Sequence, residues 1–341
     1  MVLDIKNLST RYHTSEGVVR AVDGVSLSVG EDQVFGLAGE SGCGKSTLIR
    51  TVMRLLPGSA RVDADELSYE GRDLLSLSDG EYREKILWKG ISLVPQSAMN
   101  SLNPVYRVGE QVVEAIRAHS RVSRREALEM VGGLFRGVGL QPELVRNYPH
   151  ELSGGMRQRA MIAMSLALDP RLIIMDEPTT GLDVLVQERI LRELKEIRKK
   201  KKNAMSILLI THDISVIAEM SDRIGIMYAG RIMEQADALE LFREPYHPYT
   251  LGLKNAFPSI RQLDRELISI PGAPPNLIGD IPGCVFAFRC PFAVPKCMER
   301  RPPDLEVKPN HFVQCIRTDR VEEFRERSGE KETWRSSKSM N

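Results

Sequence analysis

No stretch of about 18 consecutive apolar residues, the length that identifies a membrane-spanning helix, occurs in this chain of 341 residues. The first residues also lack the basic, apolar and small-residue regions of a secretory signal peptide. The chain also has no excess of charge of either sign, because 47 Lys and Arg residues nearly balance 46 Asp and Glu residues. We therefore expect a chain that neither spans a membrane nor is exported, and that has no general attraction for nucleic acid.

Cysteine is scarce, with five residues in the chain. Without an export signal they point away from disulfides, because the cytosol keeps thiols reduced. Cys43 stands alone, whereas Cys284, Cys290, Cys297 and Cys315 are grouped. The group contains no C-x-x-C pair, so its spacing leaves zinc, an iron–sulfur cluster and unligated thiols open. Among these alternatives, grouped thiolates in a reduced compartment favour a metal site.

The chain alternates between strand-like and helical patterns. Val34–Ala38 is short and apolar, ends in glycines, and precedes the helical run Ser46–Leu56. Apolar runs return at Leu172–Met175 and Ile207–Ile210, on either side of the helical pattern Val184–Lys199. Unbroken apolar runs are typical of parallel strands that are buried on both faces. The alternation predicts an α/β fold with a parallel sheet.

Composition divides the chain into three predicted parts. Residues 1–240 form the α/β domain, with a mostly helical subdomain at about 90–165 in which Ser123 and Glu126 are spaced as a capping box. From residue 241 to 317 prolines interrupt any long element, which predicts a small irregular C-terminal domain that carries the four grouped cysteines. Residues 318–341 are charged and Ser-rich, and we expect a flexible tail.

A glycine-rich segment between the first strand and helix fits the phosphate-loop pattern G-x-x-x-x-G-K-[ST]. Its backbone N–H groups can surround phosphate, the Lys45 ammonium adds a charge, and the Ser46 hydroxyl suits Mg²⁺. We interpret Cys43 as a small packing residue within the loop. The alternative is a glycine-rich turn without a ligand. The loop residues expected to bind ATP are Gly39, Ser41, Gly42, Cys43, Gly44, Lys45, Ser46 and Thr47.

Two carboxylates end the strand that begins at Leu172. They lie where parallel α/β sheets bind ligands, at the carboxyl ends of the strands. We expect Asp176 to hold Mg²⁺ through its water shell and Glu177 to polarise the attacking water. An acidic pair of this kind is otherwise common as a helix cap or as surface charge. Its presence beside a phosphate loop favours the catalytic interpretation.

A second anion site is predicted at Leu152–Gln158, with the sequence L-S-G-G-M-R-Q, which opens a helix. The Ser153 hydroxyl and the N–H groups of Gly154 and Gly155 can bind phosphate there. An isolated S-G-G would be only a helix N-cap. Together with the phosphate loop, however, this heptapeptide resembles the signature motif of the ATP-binding cassette (ABC) superfamily.

The resemblance covers residues 1 to about 240 and implies further roles. The resemblance implies that Tyr12 stacks on adenine and that Gln96 reaches Mg²⁺ and senses the membrane subunits. It also implies that Asp183 contacts a second cassette and that His212 acts at the γ-phosphate. Catalysis would then fall to Glu177, His212 and Gln96, and Mg²⁺ to Ser46, Gln96 and Asp176. Taken singly, each of the four landmark residues has a plain structural alternative, such as a half-buried strand residue or a polar loop group.

Cassettes of this superfamily close head to tail, so that ATP on one phosphate loop is covered by the signature helix of the other. Because the chain has one copy of each motif, the resemblance implies a dimer, either with itself or with a second related ATPase. It also implies two transmembrane permease subunits, an extracytoplasmic solute-binding protein, and a peripheral location at the cytoplasmic face of the inner membrane.

The C-terminal segments Glu244–Thr250, Pro271–Pro275 and Gly283–Pro291 resemble those of oligopeptide and dipeptide importer ATPases. This branch carries a [4Fe-4S] cluster, which the resemblance transfers to the four grouped cysteines. We therefore expect an ATP-hydrolysing subunit that powers import of di- or oligopeptides.

Nickel or oligosaccharide import by the same type of ATPase is the first alternative. Soluble ATPases with the same head are less favoured. DNA-repair and chromosome-structure proteins insert a long heptad coiled coil between the two motifs, and ribosome-associated factors carry two cassettes in one chain. Neither feature occurs in this sequence.

Overall fold

The computed structural model describes residues 1–200, 203–256 and 268–335, so that residues 336–341 of the predicted tail lie outside the description. The strands in the described residues are β1 (Leu3–Thr14), β2 (Gly17–Val29), β3 (Val34–Ala38), β4 (Ala60–Asp63), β5 (Glu66–Tyr69), β6 (Arg72–Asp73), β7 (Ile91–Val94), β8 (Leu172–Asp176), β9 (Ser206–Ile210), β10 (Arg223–Tyr228), β11 (Arg231–Asp237), β12 (Leu305–Lys308) and β13 (His311–Val313). The α-helices there are α1 (Lys45–Val52), α2 (Asp79–Lys85), α3 (Val108–His119), α4 (Arg124–Gly137), α5 (Gly154–Ser165), α6 (Val184–Lys200), α7 (Ile214–Met220), α8 (Ala238–Arg243), α9 (Pro248–Ala256), α10 (Lys296–Glu299), α11 (Val321–Arg327) and α12 (Lys331–Arg335).

The chain divides into two compact units. The helical unit comprises Met1–Leu3, Ser28–Val34 and Ser68–Ile210, and the phosphate-loop unit comprises Asp4–Leu27, Phe35–Leu67 and Thr211–Asn341. Each unit is assembled from separate stretches, whereas the predicted domains are continuous. The predicted limits near residues 240 and 317 stay a prediction.

In the helical unit, parallel strands lie in the order β7–β8–β9, as the apolar runs predict. The pairing aligns the ends of the strands: Val94 is opposite Met175, and Asp176 is opposite Ile210. Helix α4 begins with the predicted capping box, because the Ser123 hydroxyl accepts from the Glu126 N–H at 3.2 Å while the Glu126 carboxylate accepts from the Ser123 N–H at 2.8 Å. The carboxyl ends of these strands and the start of helix α5 lie in the same compact unit.

The sheet of the phosphate-loop unit is mixed, with the strand order β12–β13–β11–β10–β3. Strands β3 and β10 are parallel, with Ala38 opposite Ile226, and the other pairs are antiparallel. The prediction of a parallel sheet is therefore correct for β3 with β10 but misses the antiparallel strands that follow. These strands lack the βαβ alternation that indicates a parallel sheet.

The C-terminal residues contribute to the core of the phosphate-loop unit. Phe286 and Trp334 are buried in one hydrophobic cluster with Ala38 and Tyr228. The rings of Tyr228 and Phe286 meet edge to face, with centroids 5.3 Å apart. Strand β13 also pairs with β11. The strand that leads into the phosphate loop therefore shares its core with residues from the far end of the chain.

The structure differs from the predicted flexible tail over residues 318–335, which include α11 and α12. Phe324 is fully buried and stacks on Phe292, with ring centroids 4.5 Å apart, and Trp334 is buried as well. Two aromatic side chains supply the apolar area that the charged composition of the segment conceals.

Across the described residues, none of the helices combines the length and the hydrophobicity that crossing a membrane would require.

Candidate nucleotide site

The phosphate loop follows β3, all five residues of which are buried. Its glycines are required by backbone geometry. At Gly44, φ is 110°, and a Cβ would come within 2.2 Å of the Ala21 carbonyl oxygen. Gly42 has φ of 77°, a left-handed conformation that favours glycine. Helix α1 begins directly after Gly44 without a side-chain cap, so its first N–H groups point into the loop.

The Lys45 side chain is buried beneath the loop, with 6 % of its surface exposed. Its ammonium group donates to the carbonyl oxygens of Gly39 at 2.7 Å and Glu40 at 2.9 Å. Cys43 is buried too, which raises the pKa of its thiol, although the Lys45 ammonium 3.5 Å away partly opposes the shift. The thiol is therefore a neutral packing group beside a fixed positive charge.

The remaining predicted residues of this unit are more exposed. Ser41 and Gly42 lie at the surface, and Ser46 and Thr47 are half-buried at the start of α1. The half-buried Tyr12 on β1 donates from its hydroxyl to the Thr47 hydroxyl at 3.5 Å, which places its ring beside the loop. His212 is exposed and directly precedes Asp213, the N-cap of α7.

In the helical unit, the predicted acidic pair lies at the end of β8. Asp176 is buried, with 8 % exposed, whereas Glu177 is half-buried and has φ of 49°. The Glu177 carboxylate accepts from the Gln96 amide at 3.2 Å and from the Thr180 hydroxyl at 3.0 Å. The structure thus brings Gln96, which was expected to reach Mg²⁺, into contact with Glu177, which was expected at the attacking water, and it adds a hydroxyl that orients the carboxylate.

Ser153 caps helix α5, where its hydroxyl accepts from the Met156 N–H at 3.3 Å. Neighbouring side chains leave little room for a side chain at either of the two residues after it. A Cβ on Gly154 would lie 3.0 Å from the Met99 sulfur, and one on Gly155 would lie 2.6 Å from Val186. The helix start therefore exposes backbone N–H groups with no side chains to shield them.

Asp183 caps the next helix, with its carboxylate accepting from the Val186 N–H at 3.0 Å. It is exposed, and so are Val184 and Leu185, each with 78 % of its surface exposed. This turn thus presents a carboxylate and two apolar side chains to its surroundings.

Sequence reasoning did not identify Thr180 and Met99 as part of the site. Thr180 lies in the run E-P-T-T-G-L-D, and its position three residues after Glu177 is the signal that could have found it. Met99 contacts the helix start from a distant part of the sequence, so no local pattern indicates it.

The prediction of an iron–sulfur cluster, and with it of a metal-binding C-terminal domain, is wrong. Within the ranges that the structure describes, no group of three or more His, Cys, Asp or Glu side chains is placed to hold a metal ion. The four grouped cysteines do line one cavity, but its volume of about 20 Å³ suits roughly one water molecule.

Three of the four grouped thiols are buried deeply enough for their pKa values to rise. Burial raises the pKa of Cys284 to about 11 and of Cys315 to about 12, and it raises that of Cys290 well above the ordinary value. These three thiols are therefore neutral at ordinary pH. His247, Phe286 and Phe292 share the cavity wall, so the thiols pack there as small apolar groups.

A phosphate loop on the mixed sheet of one unit and a Ser-Gly-Gly helix start in the other unit define an ATPase of the ATP-binding cassette class. A family model described as ABC transporter matches residues 22–180. A second, described as the oligopeptide/dipeptide transporter C-terminal region, matches residues 233–297. A third, described as AAA domain, putative AbiEii toxin, Type IV TA system, matches residues 143–218.

Whole-chain relatives agree with the first two models. A probable peptide ABC transporter ATP-binding protein of Sinorhizobium fredii is 45 % identical over 94 % of this chain and 96 % of its own length. A dipeptide transport ATP-binding protein of Bacillus subtilis is 40 % identical over 96 % of this chain and 98 % of its own length. The chain belongs to the family of peptide ABC transporter ATP-binding proteins, as the resemblance indicated.

A solved structure supports the catalytic class. A dimeric ATP-binding cassette in a post-hydrolysis state, bound to ADP and phosphate, superposes with a TM-score of 0.58 at 26 % identity. The match covers 69 % of this chain and 98 % of the other. The fold prediction of a phosphate-loop cassette is thus confirmed, and the activity of the chain is ATP hydrolysis coupled to transport.

Proposed function

We propose that this chain powers the import of di- or oligopeptides by binding and hydrolysing Mg-ATP against membrane permease subunits. The observations that carry the proposal are an uncapped, glycine-built phosphate loop in one unit and, in the other unit, a Glu177 carboxylate that Gln96 and Thr180 orient. The names of the relatives, which are peptide and dipeptide transport proteins, supply the substrate class. They do not favour nickel or oligosaccharides.

ATP binding is assigned to the phosphate-loop unit. The N–H groups of the loop and the start of α1 would surround the phosphates, the Lys45 ammonium would leave the carbonyls that it now contacts, and Tyr12 would stack on adenine. The Ser46 hydroxyl, the Gln96 side-chain amide oxygen and the Asp176 carboxylate are the oxygen groups proposed for the Mg²⁺ of the substrate. His212 is proposed to contact the γ-phosphate.

Hydrolysis is assigned to Glu177. A carboxylate that accepts two hydrogen bonds on one oxygen keeps its other oxygen directed at a single place, where it can take a proton from water. Gln96 contacts this carboxylate directly, so a displacement of Gln96 by a membrane subunit would reach the base. That contact is the proposed link between transport and catalysis.

A second cassette is proposed to complete the site. The Ser153–Gly155 helix start can bind phosphate, yet each chain has one such start and one phosphate loop. The dimeric post-hydrolysis cassette supports the pairing of two cassettes. In the head-to-tail arrangement that the family resemblance implies, one chain's helix start would lie on the other chain's ATP. Asp183 and the exposed apolar pair beside it suit that interface. We propose a related ATPase as the partner.

The transporter assembly is proposed from the family. The partners are two transmembrane permease subunits and an extracytoplasmic solute-binding protein, with the chain at the cytoplasmic face of the membrane. No nucleic acid partner is expected, since the net charge is +1.

Uptake into proteoliposomes tests this function. The chain, its companion ATPase and the permease subunits that copurify with it are reconstituted with ATP on the side of the cassettes. Labelled peptide, nickel and oligosaccharide are then offered with the binding protein. We expect accumulation of peptide that requires ATP. Accumulation of nickel or oligosaccharide instead would overturn the substrate class, and the absence of any ATP-driven uptake would overturn the importer assignment.

A further inference from the structure

A side chain from the C-terminal residues touches the phosphate loop. The Arg289 guanidinium donates from one nitrogen to both carboxylate oxygens of Glu40, at 3.0 and 2.8 Å. Glu40 is the residue directly after Gly39, the first glycine of the loop. More than 200 residues of sequence separate the two partners, so no local pattern in the sequence indicates the contact.

Arg289 is fixed on every side. Its other nitrogens donate to the carbonyl oxygens of Pro271 at 2.8 Å and Ile270 at 3.2 Å, and the Tyr228 hydroxyl lies 3.1 Å away. The side chain is 8 % exposed, against 26 % for Glu40. Burial by itself lowers the pKa of Arg289, but the hydrogen bonds to Glu40 and Tyr228 outweigh it and raise the pKa. The guanidinium is a fixed positive charge rather than a mobile surface group.

Glu40 is held through its backbone as well. Its N–H donates to the Tyr249 hydroxyl at 3.2 Å, and its carbonyl oxygen accepts from the Lys45 ammonium at 2.9 Å. Its carboxylate therefore lies on the loop that receives the phosphates of ATP. An uncompensated carboxylate there would repel the nucleotide and would compete for the Lys45 ammonium.

We propose that Arg289 is a positioning residue for ATP binding: it neutralises the Glu40 carboxylate and holds the start of the phosphate loop. The C-terminal residues thereby belong functionally to the nucleotide site, because the carbonyls of Ile270 and Pro271 hold the guanidinium in place. The inference concerns ATP binding alone, so it stands or falls separately from the substrate class of the transporter.

The competing explanation is that Arg289 only fastens the C-terminal residues to the core. The two explanations predict opposite signs for Glu40→Gln. If charge compensation matters, removing the carboxylate leaves the guanidinium unbalanced beside the phosphates and tightens ATP binding. If only fastening matters, the variant loses ion-paired hydrogen bonds, and ATP binding weakens along with stability.

The test is titration of the full-length chain with the fluorescent analogue mant-ATP, accompanied by thermal melting of each variant. Arg289→Gln should raise Kd about tenfold, equivalent to about 1.4 kcal/mol, and adding Glu40→Gln to that variant should restore most of the lost affinity. Arg289→Lys keeps the charge and should retain more affinity than Arg289→Gln, despite the loss of the planar fork. Arg300→Gln, an exposed arginine of the same region, is the matched control and should leave Kd unchanged.

An unchanged Kd in Arg289→Gln, or a raised Kd that Glu40→Gln fails to restore, would overturn the proposal. If Arg289→Gln does not fold, the single variant Glu40→Gln decides the question. A lowered Kd supports charge compensation, and an unchanged or raised Kd contradicts it.

Discussion

The phosphate loop and the cysteine-lined cavity belong to the same compact unit. The sequence predicted the backbone of the loop correctly, whereas the prediction for the cavity was wrong. In the loop, a pattern of glycines and one lysine predicted a backbone conformation that the structure has, with φ of 77° at Gly42 and 110° at Gly44. For the cavity, four grouped cysteines and the family resemblance together predicted a cluster, but the described residues contain no group of side chains placed to hold a metal ion, and the four cysteines line a cavity of about 20 Å³.

The difference lies in what each pattern constrains. Glycines at fixed offsets restrict the backbone directly, because only they tolerate the required torsions and close approaches. Cysteines with irregular spacing restrict nothing until the fold places their sulfur atoms, and burial can neutralise them as readily as a metal can bind them. A motif of backbone geometry is thus stronger evidence for chemistry than a count of ligand-type side chains.

Among the substitutions that test this comparison, we expect Glu177→Gln to have the largest effect. The amide keeps the size of the side chain but cannot accept a proton, so ATP turnover should fall by roughly 10²–10⁴-fold while ATP still binds. Phosphate release and mant-ATP titration measure the two quantities. Glu188→Gln, an exposed carboxylate on α6, is the control. Near-normal turnover in Glu177→Gln would mean that the strand-end motif predicted the position but not the chemistry.

Much of the fold and many of the site residues could be predicted from the sequence, because they depend on local backbone and burial patterns. The buried runs that became β3 and β8, and the capping box at Ser123, are local patterns with a local physical cause. The link between Glu40 and Arg289 was inaccessible, because it joins residues that only the folded core brings together. The burial of Phe324 in a charged segment was missed since composition averages over the two or three side chains that matter.

A middle-sized effect is expected from Gly44→Ala. The added Cβ would lie 2.2 Å from the Ala21 carbonyl oxygen at a φ of 110°, so we expect a loss of about 1–3 kcal/mol in the free energy of unfolding, together with weaker ATP binding. Urea unfolding and mant-ATP titration measure these. Gly58→Ala, where nothing lies within 4 Å of the added Cβ, should be tolerated. Equal stability of the two variants would show that the glycines of the loop are not required by geometry.

The smallest effect is expected from Cys290→Ala, and it tests the other side of the comparison. If the thiol only fills space beside the cavity, alanine removes one buried sulfur, at a cost of about 1 kcal/mol in the free energy of unfolding, and leaves ATP turnover unchanged. Cys290→Ser is the matched variant, since it keeps the size but buries a hydroxyl in apolar surroundings, and it should cost more than alanine. If Cys290 were a metal ligand, alanine and serine would both abolish the bond from sulfur to metal, and the two variants would lose similar amounts of stability. Equal and large losses in both variants, with iron or zinc released from the parent protein, would therefore contradict the packing role.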